Sequence, residues 1–489
     1  MKKTIIILFA YLWSAGAIAQ DTLQDSYKAF SEQAKNEYAE FRDKANKEYA
    51  DFVRKAWQSI DRMPPVPAPK PKDEEVPPVI IADEDLLKPI KSEPIKIEDK
   101  VWDIPKIDPQ PIPVAPIIAQ PVETEEWVDF VFYGTPMKVR FGKDLAFSIK
   151  SCTPDGIADA WEILAKNDYN NTIRDCLTLR IEHQLGDWAY LKMLEAMATA
   201  CMGNGNEAVM LMAYVYCQSG YKMRFASANG RLALLYSSKH SIYGKEYFRM
   251  DGEKFYVYGE SKARMDICNA AFPEEKSLSL WISDAMVLKE NKTENRTLKS
   301  SRYPDMEVQT GVNKNLLDFL NDYPTSEVGE SFMSRWAMYA NMPLEEPVKK
   351  ELLPQLQEKL NGKSEKEAVN RLLNWVQTAF VYEFDENVWG CDRAFFAEET
   401  LYYPYCDCED RSILFTRLVR DLLGLKCVLV YYPGHLASAV CFAEEEVSGD
   451  YIMLDGKRYV VCDPTYIGAE CGRTMPNMDN ATATVILLE

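Results

Sequence analysis

At 489 residues, with 47% hydrophobic and 12% aromatic side chains, the chain has room for two to four domains and enough apolar content to bury a core through most of its length. A net charge of −19 with no Lys/Arg-rich run excludes unaided binding to nucleic acid or to an anionic membrane. No apolar stretch after the first twenty residues is long enough to span a bilayer.

Met1, Lys2 and Lys3 form a charged start, Ile5 to Trp13 an apolar run, and Ala17, Ile18 and Ala19 a small-x-small cleavage site. Residues 1–19 are therefore expected to be a signal peptide, and the mature chain from Gln20 an exported protein of the periplasm or extracellular space. The apolar run is too short for a membrane anchor. No cysteine follows the cleavage site, which argues against a lipoprotein.

Across 20–62 an eleven-residue period recurs in Tyr27, Tyr38 and Tyr49, in Phe30, Phe41 and Phe52, and in Ala34, Ala45 and Ala56. Eleven residues make about three helical turns, so the pattern predicts one long helix with an aromatic stripe. Such a helix serves self-association or a helical partner, or packs on its own globular body; the adjoining tether favours the first use. That tether, 63–124, holds 15 of the 27 prolines and is expected to be an extended linker or spacer. In 125–262, Trp127 to Tyr133 and Met137 to Phe141 read as a hairpin turning at Gly134 to Pro136, with helical patterns from Gly156 to about Ala200. The stretch 263–312 reads as a small β-rich region, and 313–489 as helices followed by an α/β segment.

Within that last segment, Ile413, Leu414, Leu418 and Leu422 mark one helix face and Gly424 is a natural C-cap. Cys408 then lies at the first turn, where the positive end of the helix dipole favours a thiolate. A strand from Lys426 to Tyr432, a turn at Pro433 and Gly434, and a strand opening on His435 follow. A further turn at Asp455 and Gly456 leads to a strand that ends at Asp463. A nucleophile at a helix start, a base at a strand start and a carboxylate at a strand end are the parts of a Cys-His-Asp triad. Cys406 competes as nucleophile, but Cys408 fits the helix register better. The other two histidines, His183 in a helical stretch and His240 in a loop, read as structural.

Seven of the twelve cysteines lie between Cys391 and Cys471. An oxidising compartment permits disulfides, but their connectivity stays open. Cys406-x-Cys408 has the wrong spacing for a zinc knuckle, so no metal and no cofactor is expected.

The segment from about Leu372 to Thr465 resembles the transglutaminase-like superfamily, of the exported bacterial cysteine protease or amidase type. Cys408 on its helix, Ser412 four places on, Leu414, Arg420, Gly424, His435 after a strand and turn, and Asp463, Pro464 and Thr465 carry the likeness. The resemblance implies an α+β fold with a papain-like, transglutaminase-like catalytic core. In it Cys408 is the nucleophile, His435 the general base and acid, and Asp463 the group that orients the imidazole. It also implies an oxyanion hole from the Cys408 backbone N–H and an upstream polar side chain, for which Tyr403 and Gln377 are candidates. Two positions depart from the family: Leu436 and Ala437 follow the histidine where a Trp is usual, and Asp407 precedes the nucleophile where Gly or Val is common.

Shifted by 204 residues, the first half echoes the second without a gap. Gly220 matches Gly424, Gly230 matches Gly434, Leu232 and Ala233 match Leu436 and Ala437, and Asp251 and Gly252 match Asp455 and Gly456. At the triad positions stand Asn204, Arg231 and Gly259, none able to act as thiolate, base or orienting carboxylate. A tandem is therefore expected, with a catalytically empty copy at about 160–260. The function expected is acyl transfer on a protein or peptide substrate, hydrolysis ahead of transamidation. The alternative is a non-catalytic binding or scaffold protein of the cell envelope.

Overall fold

A computed structural model describes residues 18–68, 76–97, 100–106, 109–121, 126–166, 169–260, 262–443 and 446–489, with side chains from residue 33 onward. The expected leader, up to residue 17, lies outside the described residues, as do the side chains of Tyr27 and Phe30. The chain is mixed α+β, 35% helix and 23% strand, with curled sheets. Among the described residues no helix is long and apolar enough to cross a membrane.

The helix Ile18–Val53 carries the eleven-residue stripe. Tyr38, Phe41 and Phe52 are exposed, but Ala45, Tyr49, Ala50 and Val53 are buried. The Tyr49 ring lies 4.5 Å from the ring of Trp161, in the helix Pro154–Leu164. Buried Arg42 donates to Gln218 Oε1 and Asn170 Oδ1, and Asn46 and Gln218 bond to each other. Over 42–53 the helix thus packs on its own body rather than standing free. The polar residues between the stripes decide this, because they find buried partners there.

The proline-rich stretch is a strap, not the free spacer its composition suggests. Proline cannot sit inside a sheet, but it can border short edge pairings. Met63 exchanges backbone bonds with Tyr247, Val79–Ile80 pairs in parallel with Tyr466–Ile467, and Val101–Trp102 pairs in parallel with Val485 and Ile486. Its own Ile81, Ile95, Ala115 and Ile117 are buried against the body.

The hairpin Trp127–Phe132 and Thr135–Arg140 turns on Tyr133 and Gly134, both at positive φ, as two-residue turns require. This moves Pro136 into the strand. The expected β-rich region 263–312 is not a separate unit. Asp266–Cys268 joins the first sheet, one hairpin forms from Arg296–Lys299 and Glu307–Thr310, and the rest buries Leu278, Leu280 and Trp281 without strands.

Two six-stranded sheets organise the molecule. The first runs Trp57–Ser59, Asp266–Cys268, Met223–Ala228, Arg231–Ser237, Glu253–Val257, Tyr247–Met250. The second runs Val101–Trp102, Thr484–Leu487, Lys426–Tyr432, His435–Cys441, Lys457–Cys462, Tyr451–Leu454. Helix Asn206–Gln218 precedes the hairpin of the first, and helix Cys408–Leu423 that of the second. Arg231–Ser237 and His435–Cys441 share their bounds after a 204-residue shift, as do Tyr247–Met250 and Tyr451–Leu454. The outermost strands differ: Trp57–Ser59 lies antiparallel to its neighbour, Val101–Trp102 parallel. One cluster of buried apolar side chains runs through both halves, from Ala45 to Ile486.

Candidate active site

Asp407 caps the helix Cys408–Leu423. Its carboxylate accepts from the Asp410 N–H at 3.4 Å, and the Asp410 carboxylate accepts from the Asp407 N–H at 3.2 Å. This gives the acid before Cys408 a local reason. Gly424, at φ 65°, closes the helix in the left-handed conformation that glycine tolerates. Cys408 and Ser412, one turn apart, grip one strand residue between them. The Leu436 N–H lies beside the Cys408 sulfur and pulls its thiol down, and Ser412 Oγ donates to the Leu436 carbonyl at 2.9 Å.

His435 opens the next strand, opposite Tyr432 across the Pro433–Gly434 turn. The neighbouring strand pairs Cys462 with Ser438, which brings Asp463 to the imidazole. His435 Nε2 lies 2.9 Å from Asp463 Oδ2. The other carboxylate oxygen accepts from the Thr465 and Tyr466 N–H groups at 2.8 and 3.2 Å. Buried His435 Nδ1 has no hydrogen-bond partner among the described residues. Asp463 therefore fixes the ring through one nitrogen and leaves the other open.

The thiol is engaged elsewhere. Cys408 Sγ donates to Glu409 Oε2 at 3.2 Å. Burial, then the Glu409 and Asp407 carboxylates, push the Cys408 thiol well above its ordinary value, against the Leu436 N–H that pulls it down. The expected helix-terminus activation is thus outweighed: desolvation and two like charges beat a partial positive charge. Burial also raises Glu409, with the Asp392 carboxylate adding to the shift and the Arg335 guanidinium opposing it. Arg335 bonds Asp392 at 2.7 Å and stands 4.0 Å from Glu409. Asp385, Asp392 and Glu409 bring carboxylate oxygens within 4.8 Å of one another, but this arginine makes the group an ion-paired cluster. Cys408 is 4% exposed and His435 and Asp463 2% each, so the site is closed.

The remaining sequence candidates fall outside this chemistry. Cys406 lies against Arg411 Nε at 3.4 Å, and burial raises its thiol to about 11. Gln377 donates to the carbonyls of Asp463, Tyr466 and Ala469 and accepts from the Gly468 N–H. It staples the Asp463 loop and has no free donor for an oxyanion. The Tyr403 hydroxyl donates to Asn321. His183 bonds the Val287 carbonyl, while burial, with Lys239 nearby, lowers His240 to about 3. A cavity of about 900 Å³ opens at the far end of the same strands, between Gly424, Lys426, Cys441 and Lys457, and includes no triad residue. Sequence reasoning missed Glu409, although it directly follows Cys408; a helix residue in the first turn reads from sequence as solvent-facing. In the first sheet the Leu232 N–H donates to Asn206 Oδ1 at 2.9 Å; the 204-residue shift sets Leu232 on Leu436 but Asn206 on Asp410, not on Cys408.

Comparison with protein-family models, curated proteins and solved structures returns no match.

Proposed function

We propose that the chain is an exported cysteine acyl-transfer enzyme whose nucleophile is Cys408. One observation carries the reading: Asp463 holds His435 by Nε2 and leaves Nδ1 open among the described residues, one residue from Leu436, whose N–H pulls the Cys408 thiol down. In the reaction the thiol proton passes to Nδ1 and the sulfur adds to a peptide or amide carbonyl. The Nδ1 proton then leaves with the amine, and a thioester remains on Cys408. Water activated by the same nitrogen hydrolyses the thioester; an amine in its place gives transamidation. Hydrolysis is preferred on the family resemblance.

A papain-like core and a tandem of two such folds, the first empty of catalysis, belong to the same proposal. Its support is the common strand order and the shared strand bounds at the 204-residue offset. At the triad positions of the first copy stand Asn204, Arg231 and Gly259.

The test is alkylation of the intact protein by iodoacetamide near neutral pH, followed by peptide mass spectrometry. Selective labelling of Cys408 that His435→Ala suppresses supports the enzyme. Slow labelling, indifferent to His435, favours the second reading, a non-catalytic envelope scaffold on the same folds. The closed site and protonated thiol are what favour that alternative. A casein substrate with a fluorescent primary amine then separates new N-termini from amine incorporation.

A further inference from the structure

Two cysteines that the acyl-transfer chemistry does not use flank the loop carrying Asp463. Cys462 ends the strand Lys457–Cys462 and directly precedes Asp463; Cys471 follows that loop. Both are fully buried, at 0% exposure. The Gly472 N–H donates to the Val461 carbonyl at 2.7 Å. The bond joins the peptide units that flank the two cysteines, so Cys471 lies beside Cys462 across it; residues that face each other in this way hold their Cβ atoms about 4.5–5.5 Å apart. A disulfide needs about 3.5–4.5 Å, a small closure. The Cys462 thiol donates to the Val460 carbonyl at 3.6 Å; burial raises it, and the neighbouring Cys471 thiol raises it further. The Cys471 backbone is pinned independently, its N–H donating to Asn370 Oδ1 at 2.8 Å.

Pairings among Cys462 and the sheet's other two cysteines, Cys427 and Cys441, are excluded by the sheet. Cys427 faces Val440 and Cys441 faces Lys426. Cys427 packs into the main core and Cys441 against the cluster on the opposite face, so their side chains point apart. Cys427 and Cys462 are separated by the whole strand His435–Cys441, roughly 9.5 Å of sheet.

We propose that Cys462 and Cys471 form a disulfide that closes the loop 463–470 and fixes the Asp463 carboxylate against His435. One thiolate attacks a small disulfide such as oxidised glutathione, expelling one glutathione thiolate. The second cysteine attacks the mixed disulfide and expels the other, so two protein thiols lose two protons and two electrons to the oxidant. The bond adds a covalent clasp to a loop already stapled by Gln377 through three carbonyls. Formation of the disulfide does not depend on the acyl-transfer reading; only its consequence for His435 does.

Arg458 and Arg473 bound one tryptic peptide that contains both cysteines and no other. The full chain is equilibrated in glutathione redox buffers, denatured, alkylated without reductant and digested. The expected peptide is lighter than the reduced form by two hydrogens and carries no alkyl group; after reduction it carries two. Amides of 463–470 should also exchange hydrogen more slowly in the oxidised protein than in the reduced one. Two free thiols at every glutathione ratio, or either cysteine linked elsewhere, overturns the pairing. A disulfide that leaves loop exchange unchanged overturns its role as a clasp. Both readouts are independent of Cys408 chemistry, so failure here and failure of the enzyme reading are distinguishable.

Discussion

The Cys408 thiol gives its hydrogen to a carboxylate, Glu409 Oε2 at 3.2 Å, while the imidazole that would take it offers an empty Nδ1. Replacing Glu409 with Gln keeps the shape and removes one of the two charges that hold the thiol protonated. Alkylation of Cys408 should then become several-fold faster near neutral pH, with its pH profile moved to lower pH. An unchanged profile would mean that burial alone governs the thiol. At the other end of the triad, Asp463→Asn should leave the fold intact and cut turnover by up to about 10⁴-fold, through loss of ring orientation. The rate at which casein yields new N-termini, against the wild-type rate, reads this. Cys408, His435 and Asp463 were legible in the sequence because each lies at the end of an element whose limits are local: a cap, a tight turn, a strand end. The roles of Glu409, Arg335 and Gln377 were not legible, because their partners are set by packing.

At the scale of elements, the strap and the N-terminal helix are where composition misleads. Ile95 is 4% exposed and packs on the outer face of the second sheet with Val428, Val430 and Ala439. Ile95→Ala should lower unfolding stability by about 2–5 kcal/mol, the cost of emptying a core site. Leu87, 89% exposed on the same strap, serves as the control, and Leu87→Ala should leave the thermal midpoint unchanged. A free tether would make both silent. Arg42→Ala removes the donors to Gln218 and Asn170 and should loosen the helix, read as faster hydrogen exchange over 42–53. The eleven-residue period announced the helix but not its neighbour, since an amphipathic stripe looks the same whatever covers it.

For the molecule as a whole, a buried acid pair ties stability to pH. The Glu345 N–H donates to Glu398 Oε1, and each carboxyl keeps a second oxygen without a partner among the described residues. Burial raises Glu398 from 4.5 to about 8, and burial raises Glu345 to about 7. The folded state therefore holds protons that the unfolded chain releases. This contribution is fully present below 4.5 and is lost as the pH rises through 7 to 8. Denaturant midpoints should fall over that window, and Glu398→Gln should flatten the fall. By itself the sequence determined the helix, turns and strands that carry Cys408, His435 and Asp463, and the 204-residue echo between halves, because periodicity, caps and turn glycines act over a few residues. Only the tertiary structure decided that burial and two carboxylates raise the thiol, that the proline segment lies along both sheets, and that Cys471 lies beside Cys462. Those outcomes depend on burial and on partners far apart in the chain, as where the Val76 N–H meets the Gly434 carbonyl beside His435.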